Sequence, residues 1–112
     1  MITEKEWKFA ESGQEALKLQ IALERYFVIK DAQWKERYGE YLKQRIRPAM
    51  MELIKRGELD KIEVISQKGW FSEKNLDAFF VEAVKQGQTE IQLFLLELKK
   101  EKYGFSDRDF SL

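Results

Sequence analysis

The sequence predicts an all-α protein, and three observations carry that expectation. Apolar residues recur at helical spacing along most of the 112 residues, and no stretch alternates cleanly as a half-buried strand does. Six glycines punctuate these apolar stripes. A thirty-residue period then runs through the second half, where MELIKRGELDK at residues 51–61 is echoed by VEAVKQGQTEI at residues 81–91. Glu52 returns as Glu82, Lys55 as Lys85, Gly57 as Gly87, and acidic Asp60 as Glu90. A fixed period of this size marks a helix-turn-helix unit that stacks on its neighbour. The architecture expected is a set of N-terminal helices packed on two helical hairpins, a short helical solenoid or bundle.

Each element has a local reason. Thr3 followed by Glu6 has the spacing of a capping box, so the first helix starts at residue 4. Ser12 and Gly13 break or weaken it, the rival being one continuous helix from about residue 4 to residue 30. Ala16, Leu19, Leu23 and Tyr26 then line one face, with Leu17 and Ile21 on an adjacent stripe. Asp31 is an N-cap for the next helix. Trp34, Tyr38, Tyr41, Leu42, Ile46, Ala49, Met50, Leu53 and Ile54 keep a 3.6-residue rhythm across Pro48. Proline inside a helix costs about 3 kcal/mol, but little at its start. A break near Arg47 is therefore expected, with Pro48 opening a short helix that stops at Gly57; a single kinked helix is the rival.

The second half is clearer. Leu59, Ile62, Val64 and Ile65 mark a helix that runs to about residue 68 and ends at Gly69. Ser72, or Asn75, caps the next helix, whose apolar stripe is Leu76, Phe79, Phe80, Ala83 and Val84 up to Gly87. Gln88 or Thr89 opens the last helix, with Ile91, Phe94, Leu95 and Leu98 as its stripe. Residues 103–112 read as a tail whose Tyr103, Phe105, Phe110 and Leu112 could fold back onto the body. The whole is read as a single helical domain, residues 1–112, made of N-terminal helices (1–47), two hairpin repeats (48–102) and that tail.

Composition narrows the function classes. An apolar fraction of 44% argues for a folded core, while 36% charged residues make the surface dense in charge. Formal net charge is zero, so the chain as a whole is not committed electrostatically to nucleic acid or acidic membranes. Without cysteine there are no disulfides, thiolate nucleophiles or cysteine-based zinc sites. Without histidine the commonest general base near neutral pH is missing. The start carries charges of both signs and lacks the apolar run of a signal peptide, and the longest apolar runs fall far short of a bilayer span. A soluble, cytoplasmic protein is expected, with no cofactor.

The segment at residues 83–97, AVKQGQTEIQLFLLE, resembles the helix-turn-helix of an ankyrin repeat. Ala83, Gly87, Glu90, Ile91, Leu95, Leu96 and Glu97 occupy the positions which that family gives to a small packing residue, the turn glycine, an acidic and a branched residue, and a closing leucine cluster with glutamate. In the earlier copy Gly57, Asp60, Ile65 and Gly69 fit, whereas Leu53 and Lys61 depart. The resemblance covers roughly residues 48–102. Its period is shorter than the family's, the Thr-Pro-Leu-His entry signature is missing, and residues 69–75 are too few for the β-finger between repeats. The run at residues 95–105, LLELKKEKYGF, also resembles the ends of uncharacterised ankyrin-like segments in Gram-positive bacteria and their phages. The family resemblance implies partner binding rather than catalysis; the likeness to phage segments allows, as a special case, an inhibitor of a host or phage protein.

Candidate functional residues follow from exposure and charge. Trp70 and Phe71, on a loop between the repeats, are expected to be partly exposed and to anchor a protein partner, or else to plug the core beneath the loop. Residues 30–56 hold eight basic against four acidic residues. Within them Lys43, Arg45 and Arg47, near Trp34, Tyr38 and Tyr41, suggest nucleic-acid binding through phosphate contacts and stacking, against a plainer reading as core aromatics beneath a solvated face. Glu52 and Glu82 recur at equivalent positions; a shared structural role explains that better than paired acid–base catalysis. Asp107 and Asp109 near Glu101 lack the defined loop that a calcium site needs. Ser12, Ser66, Ser72, Ser106 and Ser111 have no histidine partner or elbow motif, and no phosphate-binding glycine loop occurs. The function expected is a non-catalytic protein-binding module, homo-oligomeric or with a separate target; the alternative is a nucleic-acid-associated accessory protein binding through residues 30–56.

Overall fold

The computed structural model describes residues 3–104 and divides the chain into two compact units, residues 1–49 and residues 50–112. Among the described residues there are seven α-helices and no strand, so the chain is all-α. Helices α1 (Glu4–Glu11), α2 (Glu15–Arg25) and α3 (Ala32–Gln44) belong to the N-terminal unit. Helix α4 (Ile46–Arg56) leads out of that unit into the C-terminal one, which holds α5 (Leu59–Ser66), α6 (Glu73–Lys85) and α7 (Thr89–Tyr103).

In the N-terminal unit the capping box forms as expected, with Thr3 as N-cap and Glu6 reaching back to the Thr3 backbone. The chain does break at residues 12–14, and α1 packs on α2, which packs on α3. Phe9 is the pivot. Its ring meets Tyr38 and Tyr41 edge-on, with centroids 4.8 and 5.0 Å apart. Ile21, Leu23, Tyr26, Trp34 and Leu42 are among the side chains buried with it, whereas Ala16 and Leu17, expected on the apolar face, are exposed.

Glu6 is fully buried, and every donor around it is needed there. Arg25 gives it Nε and Nη2 at 3.0 and 3.2 Å, Tyr38 its hydroxyl at 2.8 Å, and Thr3 its N–H and hydroxyl at 3.2 and 3.0 Å. Burial alone would raise the carboxyl pKa, but the bonds from Arg25, Tyr38 and Thr3 outweigh it and bring it down to about 2. The same carboxylate, together with burial, holds the Tyr38 hydroxyl far above its ordinary pKa. One charged side chain thus ties all three helices together.

The break expected near Arg47 falls earlier. Arg45 leaves the helical region at φ −121° and ψ 39°, closing α3 through its N–H while its carbonyl accepts from Ala49. Pro48 is then the third residue of α4, where a backbone N–H has no intrahelical acceptor, so the ring costs little. Lys43 and Arg47 consequently lie on different helices.

The thirty-residue period appears in the C-terminal unit as geometry. At the end of α4, Glu58 N–H bonds to Leu53 O and Gly57 N–H to Ile54 O; at the end of α6, Gln88 N–H bonds to Ala83 O and Gly87 N–H to Val84 O. Both are Schellman closures, and both need the left-handed conformation that Gly57 (φ 70°) and Gly87 (φ 68°) supply. The two turns also touch. The Gln88 side chain lies 3.0 Å from where a Cβ on Gly57 would stand. Helix α6 starts from a capping box that uses both residues expected to compete for the role, Ser72 as N-cap and Asn75 as its partner. It packs against α7, to which Gln92 adds a bond to Ala83 O at 3.3 Å.

Candidate functional site

The loop between α5 and α6 separates the two aromatics expected to act together. Trp70 is half-buried, but Phe71 is buried and meets Phe79 edge-on at 5.2 Å. Phe71 is thus a plug beneath the loop; its expected exposure is corrected. Ser72 caps α6 immediately afterwards, and Phe71, the residue before that cap, packs on Phe79 of the same helix.

The basic trio is also divided. Lys43 and Arg47 are exposed, whereas Arg45 bonds Glu15 Oε1 at 2.6 Å and lies 4.3 Å above the Tyr41 ring. Tyr41 gives its hydroxyl to the same oxygen at 2.8 Å, and burial followed by that bond pushes its pKa up to about 12. Bonds from Tyr41 and Arg45 hold the Glu15 carboxyl below its ordinary value. Trp34, Tyr38 and Tyr41 are buried, so none offers a free face on which a base could stack.

The recurring glutamates do the same small job twice. Arg56 donates to Glu52 at 3.1 Å, and Gln86, thirty residues later, donates to Glu82 at 2.7 Å. Each carboxylate holds the side chain one turn ahead of it, next to the turn glycine. Among the described residues no group of three or more acidic side chains is placed to hold a metal ion, and Asp107, Asp109, Ser106 and Ser111 lie outside them, as do Phe105, Phe110 and Leu112. No helix of the described residues is long and apolar enough to cross a membrane.

The feature that motif reading passed over is the outer face of α6 and α7. A groove of about 280 Å³ runs between these helices, lined by Leu76, Phe80, Val81, Leu95 and Leu96 and edged by Asp77 and Lys99, which pair at 2.8 Å. Val81 is 52% exposed, Val84 51% and Leu96 43%. In a chain with 36% charged residues, these three exposed apolar side chains on one helical hairpin stand out. The sequence did hold a signal for this: α7 carries Leu93 and Leu96 outside the Ile91, Leu95, Leu98 stripe. The N-terminal unit has a larger depression of about 600 Å³, but Lys18 already covers its aromatic floor at 4.9 Å from the Phe9 ring, and Glu36, Arg37 and Glu40 wall it. That site presents charge, whereas the α6–α7 groove presents apolar surface.

Comparison of the chain with protein-family models, with curated proteins and with solved structures finds no match.

Proposed function

We propose that this chain is a non-catalytic protein-binding module, ankyrin-like in plan, that works in the cytoplasm. The open apolar face of α6 and α7 carries the reading. Val81 and Leu96 stand in solvent at the edge of a groove whose floor is Leu76, Phe80 and Leu95, and Val84 is exposed on the same helix as Val81. A shallow apolar groove between two helices suits the apolar side of another helix better than a small molecule. The Asp77–Lys99 pair gives that groove a polar rim, the usual plan of a protein interface. Trp70, half-buried in the loop before α6, is a second contact point on the same unit.

Affinity capture of the tagged full chain from its own cell extract, after nuclease treatment, tests this reading. Wild type is expected to retain a stoichiometric protein that Val81→Lys/Leu96→Lys loses, both substitutions being at exposed positions. Identical eluates from the two proteins would remove the α6–α7 face from the reading. Trp70→Ala in the same experiment decides whether the loop contributes.

A further inference from the structure

Resting on that reading, we infer that the partner seated on the α6–α7 face is a second copy of this chain, related by a two-fold axis parallel to the helices. The repeat itself says what belongs there. The thirty-residue period pairs Phe80 with Met50, Val84 with Ile54, Gln92 with Ile62 and Leu96 with Ser66. In the first repeat all four positions are buried; in the second Phe80 and Gln92 are half-buried, and Val84 and Leu96 are exposed. A face that is covered in one repeat is open in the next. The Gln88 side chain stands against Gly57, so the turn of the second repeat lies beside that of the first. The open face is the counterpart of a covered one, and a second copy presents the same apolar hairpin to it.

Charge selects the geometry. Asp77 on α6 and Lys99 on α7 lie at the same end of the groove, 2.8 Å apart. Rotation about an axis parallel to the helices sets α6 of one chain against α7 of the other and brings Asp77 opposite the second chain's Lys99 twice over. This is the self-complementary arrangement that a two-fold interface requires. Rotation about the perpendicular axis sets α6 against α6 and separates the two charges. The first arrangement makes an antiparallel four-helix bundle of two α6–α7 hairpins.

Sedimentation equilibrium of the purified full chain, from micromolar to about half-millimolar, reads the outcome. The mass is expected to rise from the 13.4 kDa of one chain toward twice that value, and Val81→Lys/Leu96→Lys is expected to weaken association at least tenfold with helicity unchanged. Asp77→Lys alone and Lys99→Asp alone are each expected to dimerise poorly, and their mixture to restore dimers, because only the mixed pair is complementary. A strict monomer at the highest concentration overturns the inference and leaves the capture experiment to judge binding to another protein. A dimer indifferent to the apolar substitutions overturns it also, and so does a mixture no tighter than its components.

Discussion

Replacing Glu6 by glutamine should cost the N-terminal unit stability that depends on pH in a definite way. The carboxyl is held at about 2 in the folded chain against an ordinary 4.5, a difference of about 2.5 units. At about 1.36 kcal/mol per unit this is at most about 3 kcal/mol, and screening through the partly exposed Arg25 brings it to roughly 2. Because the folded pKa is depressed, the contribution is complete above pH 4.5 and is lost as pH falls toward 2. Glutamine cannot ionise, so the stability gap between wild type and Glu6→Gln should be widest above pH 5 and nearly closed at pH 2. Glu15, also depressed, titrates in both proteins and cancels in the difference. The assay is urea unfolding at several pH values in a Trp70→Phe background, where Trp7 and Trp34 report on the unit that contains Glu6. A gap of the same size at pH 7 and pH 2 would refute the reasoning, since it would assign the loss to shape rather than charge.

Gly87→Ala and Gly57→Ala should each cost about 1 kcal/mol, the strain of a left-handed residue, because the Gln88 amide near Gly57 is the end of a flexible side chain that can swing aside; urea midpoints compare them. Phe71→Ala should lower the stability of the C-terminal unit by about 3 to 4 kcal/mol, as loss of a buried aromatic does, read from the same unfolding curves. Duplex DNA at 50 mM salt should bind weakly or not at all, since Arg45 is engaged by Glu15 and the nearby aromatics are buried; tight binding with a salt slope near −4 would restore the nucleic-acid reading of residues 30–56.

Most of the helical plan is legible in the sequence, because the signals that set it are local. Thr3 with Glu6, Asp31, Ser72, and the glycines at 57 and 87 each act within a few residues, and each does in the structure what its place in the sequence implies. What is not legible depends on distant partners. The spacing of Thr3 and Glu6 reads as a cap whether or not Glu6 is buried; what takes it inside is Arg25 and Tyr38, 19 and 32 residues away. Arg45 reads as a free cation until Glu15, 30 residues earlier, is seen to hold it. Phe71 reads as a loop residue until Phe79 is found against it. The open face of α6 and α7 was half visible. The period pairs Val84 with Ile54, but only the fold reveals that one is covered and the other is not.

A photo-crosslinking residue placed at Val84, with Val64 on α5 as an exposed control, most directly tests whether the α6–α7 face is where this chain meets a protein. Both variants are irradiated in the cells that make the protein, and the adducts are sized and identified. A discrete adduct from position 84 and none from position 64 is the expected result, whether the captured protein is a second copy or another chain. Equal labelling from both positions, or no adduct from position 84, would contradict it.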